Sequence, residues 1–147
     1  MIPSQPIVRR ASSKDCKCIY DFICDLEGSE FDYSNFAAIY SRNIADPENI
    51  YLVAEIDGLV SGYLSCHGQT LLHHAGMVFE IQELYVKEGF RNEGIGQFLF
   101  HKLESELKEL DYKSLEVTAN SKRIKTHDFY RKVGFELTHL KFTKEKR

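Results

Sequence analysis

The stretch from Glu80 to Phe100 constrains this chain most, because its residue pattern changes twice within a short distance. Ile81 to Val86 is rich in apolar, β-branched and aromatic residues, which predicts a strand. A polar run from Lys87 to Glu93 follows. Apolar residues then recur at spacings of three and four, which predicts a long amphipathic helix from about Gly94; they are Ile95, Phe98, Leu99, Leu103, Leu107 and Leu110.

A strand that leads into a helix through glycines is typical of an anion-binding site. Gly94 and Gly96 lack Cβ atoms, so an anion can approach the backbone, and the first free N–H groups of the helix point toward it. Arg91 adds a positive charge. A P-loop would need Lys and then Ser or Thr after its last glycine, and these do not follow Gly96. A dinucleotide fingerprint would need a third glycine at the position of Leu99.

Composition sets limits on the function. The 147 residues are 43% hydrophobic, which predicts one domain spanning residues 1–147. A formal net charge of −3 argues against broad nucleic-acid binding. No apolar run approaches the roughly 20 residues of a membrane span, and the N-terminus lacks the apolar core of a signal peptide. We therefore expect a cytoplasmic protein that binds neither nucleic acid nor a membrane.

The four cysteines do not have the spacing of a metal site. Cys16, Cys18, Cys24 and Cys66 include no C-x-x-C pair, and three of them fall in one predicted helix. In a reducing compartment we expect them to be small, partly buried thiols.

The remaining pattern predicts a mixed sheet flanked by helices, in the class α/β or α+β. Asp57-Gly58 predicts a hairpin turn, and His67–Gly76 is interpreted as a polar loop. Further strands are predicted at Ile7–Arg10, Ile50–Ile56, Leu59–Cys66, Ser114–Thr118 and Phe135–Phe142. Further helices are predicted up to about Leu26, with Ile19, Phe22, Ile23 and Leu26 buried, at Tyr33–Arg42, which Phe36, Ile39 and Tyr40 suggest, and at Lys125–Val133.

Two motifs in this order resemble the GNAT N-acetyltransferases. Arg91-x-x-Gly94-x-Gly96 is similar to that family's diphosphate-binding motif, and Thr126–Phe135 is similar to its A-x-x-F-Y-x-K-x-G-F signature. The resemblance implies the GNAT fold, with a mixed, mostly antiparallel sheet, and acetyl-CoA as cosubstrate. The cofactor site is then expected at Leu84, Tyr85, Val86, Arg91, Asn92, Glu93, Gly94, Ile95, Gly96, Asn120, Phe129 and Lys132.

Short segments along nearly the whole chain also resemble aminoalkylphosphonate N-acetyltransferases. They include Ile23–Leu26, Leu72–His74, Glu80–Leu84 and Phe142–Lys144. The likeness departs in detail between the third and fourth strands and at Arg123–His127. It implies acetyl transfer to the primary amine of a small molecule, with a polyamine, an aminosugar or a protein lysine as alternative acceptors. A homodimer is a further expectation.

Acetyl transfer to an amine needs a base, and the departing thiolate needs a proton. Glu80 and Glu83 are candidate bases on one strand, and their odd separation predicts opposite faces unless a bulge intervenes. The resemblance selects Glu80. It also implies that Tyr130 is the general acid, while packing in the core is the alternative for that residue. A backbone N–H at Tyr85 or Val86 would polarise the thioester.

Acceptor recognition is the least defined part of the predicted site. His73 and His74 could bind a divalent metal ion, which the resemblance implies, hydrogen-bond a phosphonate, or simply be solvated. Arg42 and Arg123 are candidate cations for a phosphonate head, with an ordinary surface role as the alternative. Two rival functions are a GNAT-like module that senses CoA without turnover and a nicotinamide-dependent oxidoreductase.

Overall fold

The computed structural model describes residues 5–146, which form one five-stranded sheet with helices on both faces. The chain order is β1, α1, α2, β2, β3, β4, α3, β5, α4. The bounds are β1 Ile7–Arg10, α1 Cys16–Glu27, α2 Tyr33–Ala45, β2 Ile50–Ile56, β3 Leu59–Leu71, β4 Gly76–Val86, α3 Ile95–Leu107, β5 Ser114–Val117 and α4 Ile124–Lys132.

The sheet is mixed and mostly antiparallel, as predicted. Its spatial order is β1-β2-β3-β4-β5, and within the described part of the chain only the β4–β5 pair is parallel. Asp57 and Gly58 close the β2–β3 hairpin with φ of 51° and 79°, which is the left-handed pair that a tight hairpin turn requires. No helix within residues 5–146 has the length and apolar character needed to cross a bilayer.

The two faces of the sheet carry separate hydrophobic cores. On one face, α3 buries Ile95, Leu99, Leu103 and Leu107 against β2, β3 and β4. On the other face, α1 and α2 bury Ile19, Phe22 and Tyr40 against Val53, Tyr63 and Tyr85. Ile23 and Leu26 from the predicted stripe of α1 are only partly buried, and so is Phe36 of α2.

A glycine in β3 lets α3 approach the sheet closely. A Cβ atom at Gly62 would lie 2.9 Å from Cγ2 of Ile95 and 3.2 Å from Cδ1 of Leu99. The absence of a side chain at Gly62 therefore fixes how deeply the first turn of α3 sits on the sheet.

A β-bulge in β4 changes the direction of its carboxylates. Ser65 pairs with Glu83, but Cys66 pairs with Ile81, so Gln82 is the extra residue. Glu83 and Glu80 then share a face although three positions separate them, because Glu80 pairs with His67, two residues after Ser65. The bulge is the exception under which the two carboxylates were not expected on opposite faces. Both carboxylates therefore lie on the α1/α2 face.

The β4–β5 ladder ends where the bulge begins. Its last pair is Ile81 with Val117, whereas β4 continues to Val86. Among the described residues, no strand pairs with β4 from Gln82 to Val86 on the β5 side. This leaves an open backbone edge between β4 and the connection from β5 to α4.

The predicted loop His67–Gly76 is wrong over most of its length. β3 continues to Leu71 and pairs with a β4 that begins at Gly76, so only a short 3-10 turn at Leu72–His74 and Ala75 lie between the strands. The residues from His67 to Gly76 show no apolar strand pattern, because they lie on partly exposed parts of the two strands. Their backbone groups are nevertheless satisfied by regular strand pairing.

The predicted strand Phe135–Phe142 is also wrong, because residues 135–146 have no strand assignment. Leu137, Leu140 and Phe142 are 78%, 81% and 88% exposed. In a strand, Leu137 and Leu140 would point to opposite faces, so this segment has no single apolar face to bury.

Two residues predicted to lie on the buried face of α3 are exposed. Phe98 lies at the margin of the α3 stripe and is 40% exposed, while Phe100 is buried against Phe135. Leu110 lies beyond the end of α3, and Ile39 of α2 also faces outward. The helical spacing identified the elements correctly but not the limits of their buried faces.

We expect Gly62→Ala to lower the free energy of unfolding by about 1–3 kcal/mol, because the added methyl group must displace Ile95 and Leu99. Gly96→Ala is the matched control, since its Cβ atom would lie 3.4 Å from Phe129 and alanine favours a helix. Urea unfolding of both variants measures the difference. Equal stability of Gly62→Ala and the parent would show that α3 can shift without cost.

Candidate active site

The turn between β4 and α3 presents free backbone N–H groups to solvent. Gly94 is the N-cap of α3 with φ of 82°, and no side chain caps the helix. Gly89 and Asn92 also have positive φ, of 92° and 66°. The first backbone bond of α3 runs from the N–H of Phe98 to the carbonyl of Gly94, so the preceding N–H groups remain available to an anion.

Arg91 is held beside this turn by contacts within the protein. Its Nε donates to the carbonyl of Val86 at 2.8 Å, and its guanidinium lies 5.5 Å from the ring centre of Tyr85. Nη2 of Arg91 lies 3.6 Å from Oδ2 of Asp25 in α1. The Tyr85 hydroxyl also donates to Asp25, and burial together with this contact raises the pKa of Tyr85. An anion at the turn would therefore compete with Asp25 for Arg91.

The other predicted cofactor residues differ in their burial and in their contacts. Ile95 is buried and offers only its backbone, and Gly96 faces the Phe129 ring across the α3–α4 contact. Asn120 accepts from the N–H of Lys122 at 2.9 Å through Oδ1, so its side-chain oxygen is already bonded. Leu84 is partly buried against the α3 core, while Asn92, Glu93 and Lys132 are exposed.

The two candidate bases differ in how tightly the protein holds them. Oε1 of Glu83 accepts hydrogen bonds from the hydroxyls of Ser65 and Tyr63. Among residues 5–146, the Glu80 carboxylate accepts only from Nε2 of Gln82 at 3.1 Å and from Oγ1 of Thr118 at 3.5 Å, both at exposed positions. Glu80 is therefore the carboxylate with more room for a substrate or a water.

Glu80 lies in a row of polar side chains across the sheet. His67 is its cross-strand partner on β3, and Glu116 is its partner on β5. Nε2 of His74 lies 3.8 Å from Oε2 of Glu116, which brings His74 toward the same row. The α1/α2 face thus joins residues from β3, β4, β5 and the β3–β4 turn beside the open edge of β4.

Tyr130 is buried, and the structure gives its hydroxyl no hydrogen-bond partner among residues 5–146. Burial raises the pKa of Tyr130 to about 12, and the charge of Arg123 acts in the opposite direction. A phenol with this pKa stays protonated at neutral pH. Its neighbour Phe129 contacts Gly96 in the first turn of α3, and the Tyr130 ring packs edge-on against Phe135.

The predicted acceptor residues are only partly brought together. His73 is exposed and lies beside His74, with ring centres 4.5 Å apart. Arg123 donates to the carbonyl of Leu26 at the end of α1. Arg42 is exposed near the end of α2, and the structure records no ion pair for it within the described chain.

The histidines do not form a metal site in this arrangement. Within residues 5–146, no three His, Cys, Asp or Glu side chains are grouped closely enough to hold a metal ion. His73, His74 and Glu116 therefore do not fit the divalent ion that the resemblance implied. The four cysteines, all within the described residues, are free thiols, and burial raises the pKa of Cys66 to about 12.

Three residues of the site were missed from the sequence: His67, Asp25 and Glu116. His67 and Glu116 become neighbours of Glu80 only through strand register. Asp25 reaches Tyr85 and Arg91 from a helix distant in sequence. Correct strand pairing could have identified the first two, because cross-strand partners share a face.

Two solved structures share this fold across nearly the whole chain. A protein described as a transcriptional regulator from Bacillus halodurans superposes with a TM-score of 0.88 at 18% identity, covering 97% of this chain and 100% of its own. An aminoglycoside N-acetyltransferase in complex with CoA gives a TM-score of 0.85 at 14% identity, covering 100% and 99%. At these identities the likeness concerns the fold.

Sequence comparison identifies the family. Residues 17–135 match the model of the acetyltransferase (GNAT) family. An aminoalkylphosphonate N-acetyltransferase of Salmonella typhimurium is 36% identical over 137 residues, which are 93% of this chain and 89% of that protein. The chain belongs to the GNAT acetyltransferase family and is an acetyl-CoA-dependent N-acetyltransferase.

Proposed function

We propose that this enzyme acetylates the primary amine of a small aminoalkylphosphonate. The observation that carries the proposal is the 36% identity, over 93% of the chain, to a protein of that activity. The polar row around Glu80 supports it, because that row combines carboxylates for an amine with the imidazole of His74 for an anionic head. The alternative acceptors are cationic and would need an acidic cleft, for which Glu27, Glu30 and Asp32 are exposed near the α1–α2 connection.

Acetyl-CoA is proposed to bind along the open edge of β4. Its diphosphate would accept from the free N–H groups that follow Gly94, assisted by Arg91, and its pantetheine would extend beside β4 as an additional strand. A backbone N–H at Tyr85 or Val86 would then polarise the thioester oxygen. Asn92, Glu93, Asn120, Phe129 and Lys132 would line the rest of the cofactor site.

The transfer is proposed to proceed by direct attack. The amine nitrogen forms a bond to the thioester carbonyl carbon while Glu80, acting through a water, takes the proton that the nitrogen loses. The carbon–sulfur bond then breaks, and Tyr130 donates its hydroxyl proton to the departing sulfur. The products are the N-acetylated amine and CoA. Tyr130 suits this role because burial keeps its hydroxyl protonated.

The phosphonate head is proposed to lie among His73, His74, Arg42 and Arg123. His74 has the strongest support, since its contact with Glu116 places it toward the face that carries Glu80. A neutral or protonated imidazole can donate to a phosphonate oxygen directly. No step is assigned to a metal, because the histidines have no third ligand within the described residues.

Two broader features belong to the proposal. Free cysteines are consistent with the reducing conditions of the cytoplasm, which fractionation of cells would test. A homodimer is supported by the exposed Leu137, Leu140 and Phe142, which another copy would cover. A monomeric mass by light scattering at micromolar concentration would contradict the homodimer.

The parent enzyme should acetylate 2-aminoethylphosphonate with a kcat/KM at least about tenfold above that for spermidine or an aminosugar, because the site offers donors to an anionic head. Thiol release from acetyl-CoA gives the rates, and mass spectrometry identifies each acetylated product. Faster turnover of spermidine would overturn the acceptor assignment.

CoA binding without turnover on any amine would instead favour the sensor module. The same assay with a chelator tests the metal. Activity that is lost with chelator and restored by a divalent ion would assign a metal to the acceptor site, against the arrangement of His73 and His74.

Glu80→Gln should lower kcat by roughly 10²- to 10⁴-fold near neutral pH, and the loss should shrink as pH rises and more of the amine is already deprotonated. Tyr130→Phe should lower kcat by a factor that stays constant up to about pH 10, because the acid form of Tyr130 is lost only as pH rises toward about 12. Profiles of kcat against pH measure both effects. Glu83→Gln is the matched control, and a larger loss in it than in Glu80→Gln would move the base to Glu83.

Arg91→Ala should raise KM for acetyl-CoA about tenfold with little change in kcat, because it removes a charged contact made equally before and during the reaction. Arg131→Ala is the control for loss of one positive charge, since Arg131 pairs with Asp128 within α4. Equal KM values in the two variants would remove Arg91 from the diphosphate site.

A further inference from the structure

His67 faces the space beside Glu80 from the neighbouring strand. The two residues are direct partners in the antiparallel β3–β4 ladder, so their side chains project from the same face. Directly opposed residues in such a ladder have Cα atoms roughly 4.5–5.5 Å apart. No sequence motif includes His67, and the proposed reaction assigns it no role.

Hydrogen bonds at one edge of the ring orient His67 and favour one of its two neutral tautomers. Nδ2 of Asn43 donates to the Tyr51 hydroxyl at 3.1 Å, and that hydroxyl lies 2.7 Å from Nε2 of His67. An amide nitrogen can only donate, so the Tyr51 oxygen accepts from Asn43, and we assign the hydroxyl hydrogen of Tyr51 to the bond with Nε2, which gives that hydrogen an acceptor. Neutral His67 then carries its proton on Nδ1.

The Tyr51 hydroxyl keeps the hydrogen that it needs to act as a donor. Tyr51 is buried, and burial raises its pKa to about 12, so its hydroxyl remains protonated under ordinary conditions. The Tyr51 and His67 rings also stack, with centres 5.6 Å apart and planes 26° from parallel. Both contacts fix the imidazole plane before any ligand arrives.

The outward nitrogen of His67 is free to bind a ligand. Within residues 5–146 its Nδ1 has no hydrogen-bond partner, yet it is not among the fully buried polar atoms that lack one, of which Glu106 Oε2 is the single case. Nδ1–H is therefore an oriented donor that reaches the surface of the site. A donor of this kind binds an oxygen anion and offers nothing to a cationic amine.

We infer that the Nδ1–H of His67 donates to a phosphonate oxygen of the acceptor whose amine lies at Glu80, which makes His67 a specificity-determining residue. The inference rests on the proposed function. In 2-aminoethylphosphonate two carbons join the amine to the phosphorus, a span that suits two facing residues on adjacent strands. Glu83 and Glu116 lie on the same face as Glu80, so a phosphonate bound there needs a donor directed at it.

Two substitutions separate the binding role from a packing role. Glutamine reaches the position of Nε2 and can keep the contact with Tyr51, but it places no donor at Nδ1. Asparagine places its amide nitrogen near the Nδ1 position and gives up the contact with Tyr51. We expect His67→Gln to raise KM for 2-aminoethylphosphonate by about 10- to 100-fold and His67→Asn to raise it less.

KM for acetyl-CoA should stay unchanged in both variants, and KM for ethanolamine, which has a neutral head of similar length, should change less than about twofold. Circular dichroism and thermal unfolding show whether each variant is folded. A packing role predicts the reverse order, with His67→Asn impaired and His67→Gln like the parent, and that result would overturn the inference.

The outcomes also distinguish the inference from the proposed function. If the parent acetylates 2-aminoethylphosphonate and His67→Gln has the same KM for it, the assignment of His67 fails while the function stands. If the parent acetylates no aminoalkylphosphonate, the proposed function fails and the inference fails with it.

Discussion

The site depends on one irregularity in the sheet, the extra residue Gln82 in β4. The bulge turns Glu80 onto the face that already carries Glu83, and the parallel ladder with β5 ends beside it. A regular β4 would send one carboxylate into the α3 core, where a charge without partners is costly. One inserted residue thus accounts for the paired carboxylates, and it lies where the backbone edge of β4 becomes open.

The position of α3 depends on the same sheet. Gly62 lets Ile95 and Leu99 settle onto β3, so the first turn of α3 is fixed by the core. Gly96 allows α4 to pack closely against α3, because the Phe129 ring lies next to its backbone. The dipole of α3 is therefore held in place by packing before a ligand binds, which lowers the entropic cost of binding.

Sequence reasoning succeeded where the chemistry is local. The glycines and Arg91 of the turn, the Asp57-Gly58 hairpin and the spacing of α3 are contiguous patterns, and the structure confirms the elements they predict. It failed where the outcome depends on pairing. The strand extension after Cys66 and the neighbours of Glu80 follow from register, which residues of β3 and β5 determine jointly with β4.

The acceptor side was also harder to predict because its residues come from distant parts of the chain. His67, His74 and Glu116 belong to different elements, and none carries a recognisable spacing relative to Glu80. The segment from Phe135 to Phe142 shows a different error, in which a strand was predicted where none forms. Leu137, Leu140 and Phe142 suggested a strand by composition alone, yet their mixed parity gives no common face.

The last turn of α1 contacts both the β4 side and the start of α4, and its contact with α4 is weak. Asp25 contacts Tyr85 and Arg91 on the β4 side, while the adjacent Leu26 carbonyl accepts from Arg123 at the start of α4. An exposed hydrogen bond of this kind contributes about 1 kcal/mol, roughly twice the thermal energy. Thermal fluctuation can break a single contact of this size, so the hydrogen bond between α1 and α4 gives little resistance to separation of the two helices, and such a separation would leave the sheet hydrogen bonds intact.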